Sequence, residues 1–214
     1  MDKFITAKEA ASLIKDGMTV MVGGFLANGT PHRIIEELEK SGVKDLTIIC
    51  NDTGYPDRGI GRLVVSGQIK HVIASHVGTN PVTGEKMNSG EMKVTFYPQG
   101  TLAECVRAGG AGLGGVLTRT GLGTIIEEGK EKITVDGVEY LLEKPLRADV
   151  AIIGGTICDE SGNIVYKGTT NNFNQLMAAA ADLVIAEPEQ IVKVGEIAPE
   201  QIHTPAIFVD KIVR

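Results

Sequence analysis

The chain has 214 residues, a formal net charge of -6 at pH 7, 43% apolar residues, 27 glycines and no tryptophan. This length can bury a substantial core in one domain, so a single domain over 1–214 is expected. The negative balance excludes a general attraction to nucleic acid or to an anionic membrane, and no apolar run reaches membrane-spanning length.

The N-terminus, MDKFITAKEAASLIKDG, interleaves charge with apolar residues and lacks a signal peptide's apolar core, which points to a cytoplasmic protein. Thr6 and Glu9 have capping-box spacing and open a helix expected to run from Ala7 to about Asp16. Met18 to Val22 is a short β-prone run, and Thr30-Pro31 reads as N-cap and first residue of a helix reaching Lys40. Leu46 to Cys50 is a continuous apolar strand of the kind buried on both faces, which completes a βαβ unit. A polar loop (51–61), a short helical piece (62–67), a strand (His71 to Ser75) and a second polar loop (Gly78 to Glu91) follow.

Met92 to Tyr97 reads as a strand and Gln99 to Arg107 as a helix. The segment GGAGLGGVLTRTGLG (109–123) carries Gly110, Gly112 and Gly115 at dinucleotide-binding spacing. These follow a helix instead of a strand, so the segment reads as an ordered loop. From Ile125 to Glu143 the period changes, and Glu128-Gly129 and Asp136-Gly137 signal antiparallel hairpins. Asp149 to Gly154 and Leu183 to Ala186 resume the buried-strand pattern around an alanine-rich helix (Asn171 to Ala181), and Ala206 to Val213 is the last expected strand. The fold class expected is α/β: a largely parallel twisted sheet flanked by helices, with an antiparallel β excursion near 124–143.

The chemistry centres on Gly23 to Pro31, GGFLANGTP. Strand, glycine loop and helix N-terminus together offer backbone N–H groups and a positive helix end to an anion or a developing oxyanion. Gly24 and Gly29 have P-loop separation, but Thr30-Pro31 stand where that motif needs Lys and Ser or Thr, which excludes an ATPase. Histidines 32, 71, 76 and 203 lack metal-ligand spacing, and no metal is expected. Cys50, Cys105 and Cys158 are odd in number, widely spaced and expected to be reduced and buried.

The full string DGMTVMVGGFLANGTP, Asp16 to Pro31, resembles the signature of family I coenzyme A transferases at every fixed position. KDGMTVMVGGF, NDTG, HVGTNP, the 109–123 segment, KPLRADVAIIGG and NNFN extend the resemblance over essentially the whole chain, to the α subunits of bacterial acetate or acetoacetate CoA-transferases. The resemblance implies coenzyme A as substrate with no bound metal, and Gly24, Phe25, Leu26, Ala27, Asn28, Gly29 and Thr30 as the CoA-binding loop. It implies a β-subunit partner in an α2β2 or similar assembly, acyl-CoA and short-chain carboxylic acids as reactants, and a nucleophilic glutamate on that partner. The Ser-Glu-Asn-Gly-like motif of that glutamate does not occur here, so no catalytic residue is assigned to this chain. Backbone N–H groups of 24–30, with Asn28 and Thr30 as side-chain donors, would stabilise charge; Arg33, Arg58 and Arg62 are the cations nearest in sequence for a phosphate. Two other classes are weighed: a small-molecule sensor domain, and a thioester hydrolase acting alone, for which no Ser-His-Asp signature is present.

Overall fold

The computed structural model describes residues 3–214. The first half runs β1 (Phe4–Ile5), α1 (Ala7–Ser12), β2 (Thr19–Val22), α2 (His32–Ser41), β3 (Leu46–Ile49), α3 (Gly61–Val65), β4 (Ile69–Ala74), α4 (Pro81–Ser89), β5 (Lys93–Phe96) and α5 (Gln99–Gly110). Then come β6 (Val116–Thr118), β7 (Lys132–Val135), β8 (Val138–Glu143), β9 (Ala148–Asp159), β10 (Ile164–Val165), α6 (Asn174–Met177), β11 (Ala181–Val192) and β12 (Lys211–Val213).

The main sheet has the order β1-β12-β11-β9-β2-β3-β4-β5, every adjacent pair parallel, with β10 antiparallel to β9. Strands buried on both faces must be apolar at every position, and β2 shows why. Val20 and Val22 point to one core with Ile34, Ile35 and Leu38 of α2, while Met21 points to the other with Leu102 and Val106 of α5. Each fully buried aliphatic side chain contributes about 1.5–3 kcal/mol.

The chain leaves β2 for β3 on one side, and β9 later takes the place on the other. The gap between the C-terminal ends of β2 and β9 is therefore a topological switch point, where open α/β sheets hold their ligands. The loop Gly23 to Pro31 lies at that point.

The parallel sheet and the antiparallel excursion match the sequence reading, with local differences. The excursion is a separate three-stranded sheet, β6-β8-β7, which begins at Val116 rather than near 124. Asp136-Gly137 is its hairpin turn, both residues having positive φ (51° and 79°). Glu128-Gly129 instead follows a 3-10 turn, Ile125–Glu127, capped by Thr124. The expected loop 78–91 contains α4, begun by Pro81 at its first position and ended by left-handed Gly90. Helix α1 stops at Ser12, α6 is only four residues long, and 206–208 is a 3-10 turn, leaving β12 just three residues. Among the described residues no helix is long and apolar enough to cross a membrane.

Candidate functional site

Phe25 to Asn28 is a two-residue hairpin turn: Phe25 N–H donates to Asn28 O (3.0 Å) and Asn28 N–H to Phe25 O (2.9 Å). Its central residues, Leu26 (φ 47°) and Ala27 (φ 66°), both occupy the left-handed region without being glycine. Such backbone costs about 1–3 kcal/mol per residue and persists only where the surroundings over-determine it.

Those surroundings come from segments far apart in sequence. Leu26 N–H donates to Asp52 Oδ2 (2.9 Å); Asn51 Nδ2 donates to the same oxygen (2.7 Å) and Gly54 N–H to Oδ1 (2.8 Å). Asn174, fully buried, donates from Nδ2 to Gly29 O (2.9 Å) and accepts Gly154 N–H at Oδ1 (2.9 Å), so one amide ties the loop to β9. Asn172 Nδ2 donates to Asn28 O (3.2 Å). Two glycines leave room for this packing: a Cβ on Gly154 would lie 2.2 Å from Gly29 O, and one on Gly23 1.7 Å from Asn174 Oδ1.

A second turn repeats the first one strand further along. Tyr55 and Arg58 form the same antiparallel bridge as Phe25 and Asn28, and an ideal Cβ on Gly59 would lie 3.3 Å from Ala27 Cβ. Behind both turns Asn51 Oδ1 accepts Gln99 Nε2 (2.6 Å) and Ser75 Oγ (3.0 Å), and Thr79 Oγ1 donates to Gly54 O (2.8 Å). The quoted segments NDTG and NNFN thus meet the loop, as does Gly154 from KPLRADVAIIGG, while HVGTNP braces the neighbouring turn.

Two readings of the loop are corrected by the geometry. Thr30 is not the N-cap of α2: Pro31 is, and it makes no side-chain cap. Of the N–H groups in the first turn of that helix, those of Arg33 and Ile34 donate instead to Glu187 Oε1 (2.9 Å) and Oε2 (2.8 Å) at the far end of β11, while that of His32 has no hydrogen-bond partner among the described residues. Two of the N–H groups the helix end would offer a ligand are therefore already taken. Asn28 Nδ2 donates one hydrogen to Phe25 O (3.1 Å) and keeps a second, and both Asn28, which is exposed, and Thr30, which is buried beside Gly24, line the cleft. The loop also offers backbone: the N–H groups of Ala27, Gly29 and Thr30 have no hydrogen-bond partner among the described residues.

Ala27 to Thr30 line a cleft of about 450 Å³ with His32, Arg33, Gly154, Gly155, Glu187, Pro188 and Glu189. Gly24, Phe25 and Leu26 stand outside this lining; Gly24 (φ 131°) packs inward on Thr30, and Phe25 is exposed. His32 Nε2 is 3.0 Å from Ala27 O. Of the three arginines, Arg33 faces Glu187 (3.6 Å) and Arg62 pairs with Glu39 (2.6 Å). Arg58 lies over the Tyr55 ring (5.0 Å) with no carboxylate partner among the described residues. Among the described residues no group of three or more His, Cys, Asp or Glu could hold a metal ion. All three cysteines are free and buried, and burial pushes the Cys105 and Cys158 thiols up to about 12 and Cys50 well above its ordinary value. None is a ready nucleophile at neutral pH.

Asp52, Asn174 and Glu187 escaped the sequence reading as loop partners. The signals present were the quoted segments NDTG, which contains Asp52, and NNFN, which ends on Asn174.

Open backbone donors over a polar cleft at the switch point of a parallel sheet define an α/β domain suited to binding an anion or a polarised carbonyl. The chain belongs to the Coenzyme A transferase family, which residues 4–214 match. It is 54% identical over 211 residues to the Acetate CoA-transferase subunit alpha of Escherichia coli K12, covering 99% of this chain and 96% of the relative. It is 54% identical over 212 residues to the Acetoacetyl-CoA:acetate/butyrate CoA transferase alpha subunit of Clostridium acetobutylicum, covering 99% and 97%. In structure it is similar to an acyl-CoA transferase from E. coli O157:H7, solved as a thioester complex with CoA, at TM-score 0.86 and 24% identity. That superposition covers 98% of this chain and 46% of the other, so this chain spans about half the length of that one. Glutaconate coenzyme A-transferase from Acidaminococcus fermentans superposes with TM-score 0.87 at 20% identity, covering 99% and 75%.

Proposed function

We propose that this chain is the α subunit of a CoA-transferase that moves CoA between a short-chain acyl-CoA and a free acid such as acetate, butyrate or acetoacetate, and that its partner β subunit supplies the nucleophile. Relatives that carry those acids and the word alpha in their names support this reading at 54% identity. The observation that carries the split is the state of the carboxylates at the loop. Asp52 accepts three N–H donors and Glu187 two, which commits both to holding backbone, and the exposed Glu189 lacks the Ser-Glu-Asn-Gly-like context.

In the reaction so read, the partner's carboxylate attacks the acyl-CoA carbonyl, the C–S bond breaks, and an acyl-glutamyl anhydride and CoA thiolate form. The thiolate attacks the glutamyl carbonyl, releasing the first acid and leaving a glutamyl thioester that the second acid resolves in reverse. Each step passes through a tetrahedral oxyanion and needs neither metal nor added base. The part left to this chain is donors near that oxyanion, and Ala27, Gly29 and Thr30 supply backbone N–H groups; removing one such donor typically costs 10²–10³ in turnover. The cleft is too small for all of coenzyme A, so the remainder of the binding energy is drawn from outside it. Gly24 to Thr30 as a whole serve this role, the outer residues by holding the turn.

The test is to co-purify the chain with its β subunit, incubate with acyl-CoA, and locate the thioester by mass spectrometry. The CoA adduct is expected on a glutamate of the partner. An adduct on Glu189, the exposed carboxylate of the cleft, or full turnover by the isolated chain, would sink the split-site reading.

A further inference from the structure

Helix α2 starts without a capping side chain of its own, which ordinarily leaves its first N–H groups unsatisfied. Caps usually come from the residue next to the helix. Here the cap comes from Glu187, 153 residues beyond Ile34, with each carboxylate oxygen taking one N–H at 2.9 and 2.8 Å. The Glu187 side chain is only 9% exposed, and Arg33 Nε lies 3.6 Å from it. Along β11 Glu187 sits opposite Gly154, whose backbone is pressed against Gly29. The stretch from Gly29 to Pro31 is therefore clamped between β9 and a carboxylate that holds the helix it leads into.

We propose that Glu187 fills the anion position at the N-terminus of α2 and thereby acts as a positioning residue for the transfer reaction. Two effects follow from its charge. It fixes the direction in which the N–H groups of Ala27, Gly29 and Thr30 point, because the loop can no longer pivot about the helix end. It also takes up the place at the start of α2 where a free carboxylate would otherwise accept the Arg33 and Ile34 N–H groups. An enzyme whose two acid reactants are both carboxylates gains from having that place closed. This argument rests on the transferase reading above.

Two measurements test it. In the first, the isolated full chain is titrated with sulfate while thermal unfolding is followed. Glu187→Ala opens the helix end, so sulfate should raise its Tm by several degrees more than that of the wild type; equal shifts would overturn the proposal. In the second, the assembled two-subunit enzyme is assayed with Glu187→Ala and with Glu187→Gln, which keeps the volume and loses the charge. We expect kcat for the alanine variant to fall at least tenfold with KM for acyl-CoA within threefold, part of the loss to be restored by sulfate, and the glutamine variant to lie between. Kinetics within twofold of wild type for both variants, a pure rise in KM, or a loss that sulfate leaves untouched in both variants would overturn it. An inactive wild-type complex would instead sink the transferase reading, while the sulfate titration still decides whether Glu187 fills the helix end.

Discussion

At the scale of single residues, the glycines around the loop separate into those that leave space for a neighbour and those that face none. Gly154 has no positive φ, yet its missing Cβ is what allows Gly29 O to approach. Gly154→Ala should therefore displace the loop without altering any loop residue. We expect stability to fall by about 1–3 kcal/mol, as for other overpacked sites, and turnover of the assembled enzyme to fall at least tenfold with the circular dichroism of a folded protein. Gly84, in the middle of α4 with nothing within 4 Å of a built Cβ, is the control. Gly84→Ala should leave turnover unchanged and add about 0.5–1 kcal/mol of helix stability. Similar activity in the two variants would remove Gly154 from the site.

At the scale of elements, the turn between β9 and β10 shows how a buried carboxylate replaces a backbone ladder. Asp159 Oδ1 accepts the N–H groups of Ser161 (3.0 Å), Gly162 (2.9 Å) and Asn163 (3.0 Å) and the Ser161 hydroxyl (2.6 Å); Oδ2 accepts Asn163 Nδ2 (2.8 Å). Burial works to raise its pKa, but the hydrogen bonds from Ser161 and Asn163 outweigh it and hold the carboxyl below its ordinary value. Because the folded value is lowered, this stabilisation is present above the ordinary carboxylate range near 4 and is lost as pH falls through the folded value. Asp159→Asn should cost about 1–3 kcal/mol at pH 7, and the gap to wild type should narrow below about pH 4. Urea unfolding at both pH values would show it, and a gap that stays constant with pH would contradict it. The same elements show what a sequence discloses. Strands such as Leu46 to Ile49 are legible because burial on both faces forces an apolar run. Helix α4 was not, because PVTGEKMNS buries only Thr83 and so writes no apolar stripe. The outer half of β11 was hidden by Glu187-Pro188-Glu189-Gln190, which look like a surface turn but pair with β9. The GGFLANGTP string located the site, yet its anchors Asp52, Asn174 and Glu187 are joined to it only by the fold. No spacing rule connects Leu26 to Asp52 or Ile34 to Glu187.

At the scale of the whole molecule, the site is a meeting of strand ends at the gap between β2 and β9, and each helix face on the two sides is covered by its own core. The two tight turns at the ends of β2 and β3 lie side by side at the same end of the sheet, and Ala27 to Thr30 of the first line the cleft. The far edge of the same sheet has a different kind of consequence. There β1 pairs with β12, Phe4 opposite Ile212 and Ile5 opposite Val213, so that β1 finds this partner only after all the strands between them have been made. Strands β2 to β5 can pair among themselves early, the β2–β9 seam waits for residues 150–152, and the β1 edge closes at the end. Contacts of such long sequence separation are slow to form and tend to be absent from the folding transition state. Ile212 is fully buried, and Ile212→Ala should cost about 2–5 kcal/mol. In stopped-flow experiments nearly all of that loss should appear as faster unfolding, with the refolding rate almost unchanged; a refolding rate that drops in proportion would mean that β1 and β12 meet early.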